Sequence, residues 1–218
     1  MSRVILVAGA GGPAGQAVVR RFAELGDTVI GVDRTGAEGC LPIDLLDEKA
    51  VRDLAARIGE EHGRVDGIVH LVGGWRGSKT FAETSLDDWN LLHDLLIRTL
   101  QHVSLAFEPL LRASDDGRFA IVSAKAAQAP TQGNAAYATA KAAAEAWTLA
   151  LADALKGTTS AATILVVMAL VNDAMRAANP DRPYKGYTDV ATLAKAVSDL
   201  WERRPEEVNG QRIDLTAG

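Results

Sequence analysis

The chain has 218 residues, enough for one substantial hydrophobic core. Its 48 % hydrophobic and 23 % charged residues are an ordinary soluble balance. The net charge of −5 comes without a basic block, which argues against nucleic-acid binding through clustered Lys and Arg.

In chain order, apolar runs alternate with helical patterns. Residues 3–8 read as a strand, too short for the apolar core of a signal peptide. Residues 13–26 read as a helix, with Pro13 at its start and Gly26 past its end. Strands are expected over 28–33 and, briefly, 40–44. Cys40 is the single cysteine, so an internal disulfide is excluded and a reducing compartment fits. Asp47 is placed to cap a helix over 47–63, and 66–72 is a strand. Ser85 and Asp88 form a capping-box pattern ahead of a long helix, 86–112. Then follow a strand (117–123), an alanine-rich helix (135–156), a strand (161–169), a helix (188–204) and a closing strand (211–216).

These strands are apolar throughout rather than alternating, so helices are expected on both sheet faces. Strict β–α alternation predicts an α/β, single-domain, doubly wound fold of seven mostly parallel strands. No run approaches the roughly 20 apolar residues of a membrane span. The four histidines lack metal-ligand spacing, so no metal is expected. A cytoplasmic location with neither membrane nor nucleic-acid partners follows as the expectation.

Two stretches carry chemistry. The segment AGAGGPAG, residues 8–15, lies between a strand and a helix. Gly9, Gly12 and Gly15 let the backbone turn sharply and approach a pyrophosphate. The helix N-terminus, through Pro13 and Ala14, offers N–H groups to its charge. Asp33 ends the second strand, eighteen residues after Gly15, where a carboxylate binds ribose hydroxyls and repels a 2′-phosphate. NAD(H) is therefore preferred, with NADP(H) kept open because Arg34 follows at once. Asp44 falls where such folds place an acid near the adenine, though alone it reads as a capping acid. The second stretch, YATAK, sets Tyr137 and Lys141 on one helical face. A nearby ammonium favours the phenolate and lowers the phenol pKa from about 10.

With AGAGGPAG, Asp33, Asp44, Gly73 after the strand DGIVHLV, and YATAK, the chain resembles the short-chain dehydrogenase/reductase family over nearly its full length. The resemblance implies a Rossmann fold, Tyr137 as proton donor or acceptor, and Lys141 as its electrostatic partner on the nicotinamide ribose. The departures from the family pattern are specific. The position of the family's serine, thirteen residues before the tyrosine, holds Ala124. Ser123 beside it is expected on the opposite strand face. The family's helix asparagine corresponds to Leu96, the turn after the fourth strand is His70-Leu71-Val72-Gly73, and Met168-Ala169 stands where Pro-Gly is usual.

These departures, with VHLVGGWRGSK and SAKAAQ, resemble the quinonoid dihydropteridine reductase branch. That resemblance implies a pterin-like small-molecule substrate, with Trp75, Ala124 and Lys125 at its site. Trp75 is the candidate to stack on a planar ring; its alternative is packing against the long helix or a second subunit. Arg76 and Lys79 read more readily as solvated loop charges. The stretch 176–188, with Pro180 and Pro183, leaves a small lid. The resemblance also pairs helices 86–112 and 135–156 across a two-fold, implying a homodimer or homotetramer. Two rivals stand beside this reading: reduction of another small carbonyl, quinone or imine, and a catalytically silent nucleotide-binding protein.

Overall fold

Five consecutive buried residues, Val4–Ala8, form strand β1. Their side chains alternate between two cores: Val4, Leu6 and Ala8 face one side, Ile5 and Val7 the other. A strand buried on both faces must be apolar at every position, which explains the unbroken runs. In this computed structural model, which describes residues 2–37 and 39–216, β1 belongs to a seven-stranded sheet. The other strands are β2 (Thr28–Asp33), β3 (Cys40–Pro42), β4 (Gly67–His70), β5 (Arg118–Ala124) and β6 (Ala161–Val167). A two-residue pair, β7 (Leu170–Val171) with β8 (Thr188–Asp189), stands apart from the sheet, and β9 (Arg212–Asp214) closes it. The order is β3-β2-β1-β4-β5-β6-β9, and every pairing is parallel, stricter than the mostly parallel sheet expected.

Helices cover both faces. On one, α2 (Glu48–His62), α4 (Thr99–Arg112) and α5 (Ala135–Ala154) contribute Leu54, Ile58, Val103, Phe107 and Ala144 to the core. On the other, α1 (Pro13–Glu24) and α7 (Val190–Ser198) contribute Val18, Phe22, Leu193 and Val197. The predicted 86–112 helix is continuous but not uniform. It starts as α3 (Leu86–His93), where Ser85 accepts from Asp88 N–H, widens into a π-turn over Asp94–Arg98, and resumes as α4. There Thr99 N–H bonds the Asp94 carbonyl, and the Thr99 hydroxyl donates to Leu95 O at 2.7 Å. The last predicted helix starts two residues late, at Val190, because Thr188 and Asp189 pair with β7 and Asp189 caps α7. It gives way to a 3₁₀ turn after Ser198. Two short helices complete the order, α6 (Asp173–Ala178) and α8 (Pro205–Val208).

The passage from β1 into α1 fixes the C-terminal edge of the sheet. Gly9 takes φ +81°, and a Cβ there would come within 2.8 Å of Val72 N. A Cβ on Gly15 would stand 2.2 Å from Gly9 O and 2.6 Å from Ala10 Cα, so helix and loop are in backbone contact. Gly12 differs: its φ of −76° suits any residue, and a Cβ there would meet nothing nearer than 3.7 Å. Gly15→Ala is therefore expected to destabilise the fold by about 2 kcal/mol or more through overpacking, and Gly12→Ala to leave stability within about 0.5 kcal/mol. Urea denaturation of the two variants checks this difference.

Candidate active site

The loop after β1 ends at a helix N-terminus without a side-chain cap. Gly12 occupies the N-cap of α1, and the first turn holds no acidic residue. By contrast α2, α3, α6 and α7 are capped by Asp47, Ser85, Asn172 and Asp189. Uncapped N–H groups at a helix start favour an anion. Gln16, which the sequence reading passed over, braces the loop by donating from Nε2 to Ala10 O at 2.8 Å. Pro13 takes the first helical position, and Ala14 reaches the larger of two cavities.

The smaller cavity, about 250 Å³, is lined by Gly9, Gly12, Asp33, Arg34, Asp44 and Gly73, among others. The Asp33 carboxylate accepts from Gly11 N–H at 3.2 Å and from the Thr35 N–H and hydroxyl at 3.1 and 3.0 Å. Asp44 accepts from Leu46 N–H at 2.9 Å in a tight local turn. One wall of this cavity therefore carries two carboxylates and the Arg34 guanidinium.

The larger cavity, about 550 Å³, shares Leu71, Val72 and Gly73 with the smaller. It brings together Tyr137, Lys141, Trp75, Ala124 and Lys125. Lys141 is buried and donates to Val122 O at 2.7 Å. Burial pushes its ammonium down to about 8, opposed by the Glu145 carboxylate. The expected lowering of the Tyr137 phenol is not found; burial pushes it up. The reason is geometric: Lys141 Nζ lies 5.9 Å from the centre of the Tyr137 ring and is turned to Val122 O. Helical spacing gave the shared face correctly but not the direction of the ammonium.

His70 forms part of this floor. Because the Thr99 hydroxyl proton goes to Leu95 O, its oxygen must accept from His70 Nε2–H, 3.1 Å away. Burial first, then the Lys141 charge, pushes the imidazole down to about 3, so it is neutral. The π-turn thus serves the cavity floor through Thr99, and Leu96 within it is buried. No sequence pattern marks such a turn.

Ser123 also borders the cavity, but its hydroxyl is engaged: it donates to Glu145 at 2.5 Å, and Arg212 holds the same carboxylate at 2.9 Å. Ala124 presents only a methyl group to the wall. Lys125 lines the cavity, but its ammonium pairs with Asp214 at 2.6 Å. Trp75 stands at the mouth, 63 % exposed, with its ring over Gly77, where a Cβ would come within 2.6 Å of it. The long helix does not cover it. Arg76 donates to Trp75 O and lies 3.6 Å from Asp88. The stretch after β6 is a small lid built on α6, where the Tyr184 hydroxyl donates to Met175 O and Arg176 pairs with Asp189.

A dinucleotide fits this arrangement: an uncapped helix start and an open Gly12 lie between an acid-lined pocket and the Tyr137–Lys141 wall. Among curated proteins, serine 3-dehydrogenase of Agrobacterium fabrum is 26 % identical, with 99 % of this chain and 94 % of that protein covered. Sulfoacetaldehyde reductase 2 of Chromohalobacter salexigens is 28 % identical over 173 residues, 72 % of this chain and 69 % of that protein. A Shigella flexneri short chain dehydrogenase solved in complex with NADP superposes with a TM-score of 0.83 at 22 % identity, covering 97 % of this chain and 96 % of that one, a likeness of fold. Residues 3–182 match the family model described as short chain dehydrogenase, and the chain belongs to that family of oxidoreductases.

Proposed function

We propose that this chain reduces a planar, conjugated, electron-poor acceptor of the quinonoid dihydropterin type in the larger cavity, with NADH preferred. The carrying observation is a wall that keeps Tyr137 and Lys141 but offers a methyl group at Ala124. A conjugated acceptor takes hydride without a hydroxyl at that point to polarise an isolated ketone. Exposed Trp75 at the mouth suits a flat ring.

When bound, the dinucleotide supplies the hydride. The uncapped start of α1 and Gly12 hold its pyrophosphate, Asp33 and Asp44 its adenosine end, and Gly73 the bridge between the cavities. Asp33 faces the ribose hydroxyls and disfavours a 2′-phosphate, while Arg34 beside it tolerates one. Tyr137, kept protonated by burial, gives its hydroxyl proton to the acceptor. The acceptor so gains a hydride and a proton; the Lys141 charge, 5.9 Å from the ring centre, offers the phenolate left behind long-range rather than hydrogen-bonded stabilisation until solvent reprotonates it. The remaining Lys141 donors reach the nicotinamide ribose. Lys125, tied to Asp214, borders the substrate rather than charging it.

A second reading, reduction of a small carbonyl, is favoured by relatives such as sulfoacetaldehyde reductase 2. The molecule is proposed to act as a single-domain cytoplasmic enzyme. It is proposed to pair through the outer faces of α4 and α5, where Leu105 and Leu149 are exposed and Leu105 borders a cavity of about 270 Å³ beside Trp147.

Three outcomes test the reading. With NADH and a quinonoid dihydropterin, Tyr137→Phe should lower kcat by about 10² to 10⁴ with NADH affinity kept. Absence of pterin turnover by a protein that binds NADH would remove this substrate, and faster turnover of a small aldehyde would favour the second reading. Gly12→Ala should weaken NADH binding about tenfold in a fluorescence titration, since its Cβ would enter the pyrophosphate path. The kcat/KM profile for NADH, which reports the free protein, should fall as pH rises through about 8. Below that value Lys141 carries its charge, above it the charge is lost, and neutral His70 does not titrate in this range.

A further inference from the structure

Hydride arriving on a conjugated ring drives negative charge onto its heteroatoms, and that charge needs a hydrogen-bond donor. Most donors on the cavity wall are already engaged. Ser123 donates to Glu145, Lys125 to Asp214, and His70 Nε2 to Thr99. Lys141 spends one donor on Val122 O and sits beside the phenol. Asn134 is different. It lines the larger cavity at the N-cap of α5, three residues before Tyr137, which lines the same cavity. Its Oδ1 accepts from Thr131 N–H at 2.7 Å, which fixes the amide with its oxygen in the turn. Nδ2 has no hydrogen-bond partner among the described residues.

The segment carrying this amide is held firmly. Ser78 N–H donates to Gly133 O at 2.9 Å, and a Cβ on Gly133 would stand 2.8 Å from Ser78 O. A Cβ on Gly77 would likewise stand 2.6 Å from Gly133 O. Backbone contact therefore ties the Trp75 loop to the turn that precedes Tyr137.

We propose that the Asn134 side-chain amide is a substrate-binding donor, its Nδ2–H holding the heteroatom on which charge gathers as the acceptor is reduced. This rests on the reading of the larger cavity as the place of reduction. Asn134 does from the start of α5 what a hydroxyl on the methyl-lined wall at Ala124 would do from the end of β5.

The test compares Asn134→Asp, Asn134→Ala and Tyr137→Phe with the unmodified protein, using NADH and quinonoid 6,7-dimethyldihydropterin. Asn134→Asp keeps the acceptor for Thr131 N–H but removes the donor, so the turn survives. The expected result is a fall in kcat/KM of about tenfold or more in both Asn134 variants, with NADH affinity and melting temperature retained in Asn134→Asp, which keeps the turn. Adding Ala124→Ser to Asn134→Ala should recover about tenfold, a rescue that a merely structural asparagine would not show. Calorimetric binding of the tetrahydropterin product to the NAD⁺-loaded protein reads the same contact without turnover, and should weaken in parallel. If Tyr137→Phe abolishes turnover while Asn134→Asp stays within twofold of the unmodified protein, the amide is not a contact and the cavity reading survives. If the unmodified protein neither turns over nor binds the pterins, both fall together.

Discussion

Lys141 carries an ammonium out of water and gives it one backbone carbonyl, Val122 O, as hydrogen-bond partner among the described residues. An ammonium has three donors, and burying it costs several kcal/mol unless they are met. The cost appears as a pKa drawn down to about 8 by burial. Glu145, one turn further along α5, offsets part of it but is itself shared with Ser123 and Arg212. Such an uncompensated charge beside a cavity is where a ligand completes the hydrogen bonding. Around it the floor is organised accordingly: a neutral His70 fixed by Thr99, and a phenol kept protonated.

The loops around that lysine are held by backbone contact rather than side-chain chemistry. The near-touch of Gly15 on Gly9 O seats α1 on β1, and Gly9 in turn crowds Val72 N in the loop after β4. Those loops form the wall shared by the two cavities. The second contact, between Gly133 and Ser78, hangs the tryptophan loop on the start of α5. The helices α1 and α5 pack on opposite faces of the sheet, one against each core.

Much of this was legible before any coordinates. Uniformly apolar runs required a two-faced parallel sheet, and all seven strands were found from them. Strand periodicity separated Ser123 from Ala124 less cleanly: both border the cavity, and it is the bond to Glu145 that takes up the Ser123 hydroxyl. Other features left no trace in the pattern. The π-turn at Asp94–Arg98 has no signature in residue type; the Thr99 hydroxyl that bonds Leu95 O at its end is seen only in the structure. The β7–β8 pair joins two dipeptides across the lid, too short for any period to show. The phenol's direction of shift was read wrongly because residues four apart share a face without their reactive atoms meeting. Gln16 and Asn134 belong to polar types that usually occur in turns, and only their hydrogen bonds set them apart.

The most direct test of this account is to follow the Lys141 side chain by NMR in protein labelled with ¹³C-lysine, assigned by Lys141→Arg, with and without NADH. An ammonium titrating near 8 in the free protein, and moving upward once ribose hydroxyls accept from it, is the predicted result. An ordinary lysine titration near 10.5 in the free protein, unmoved by the dinucleotide, would contradict it.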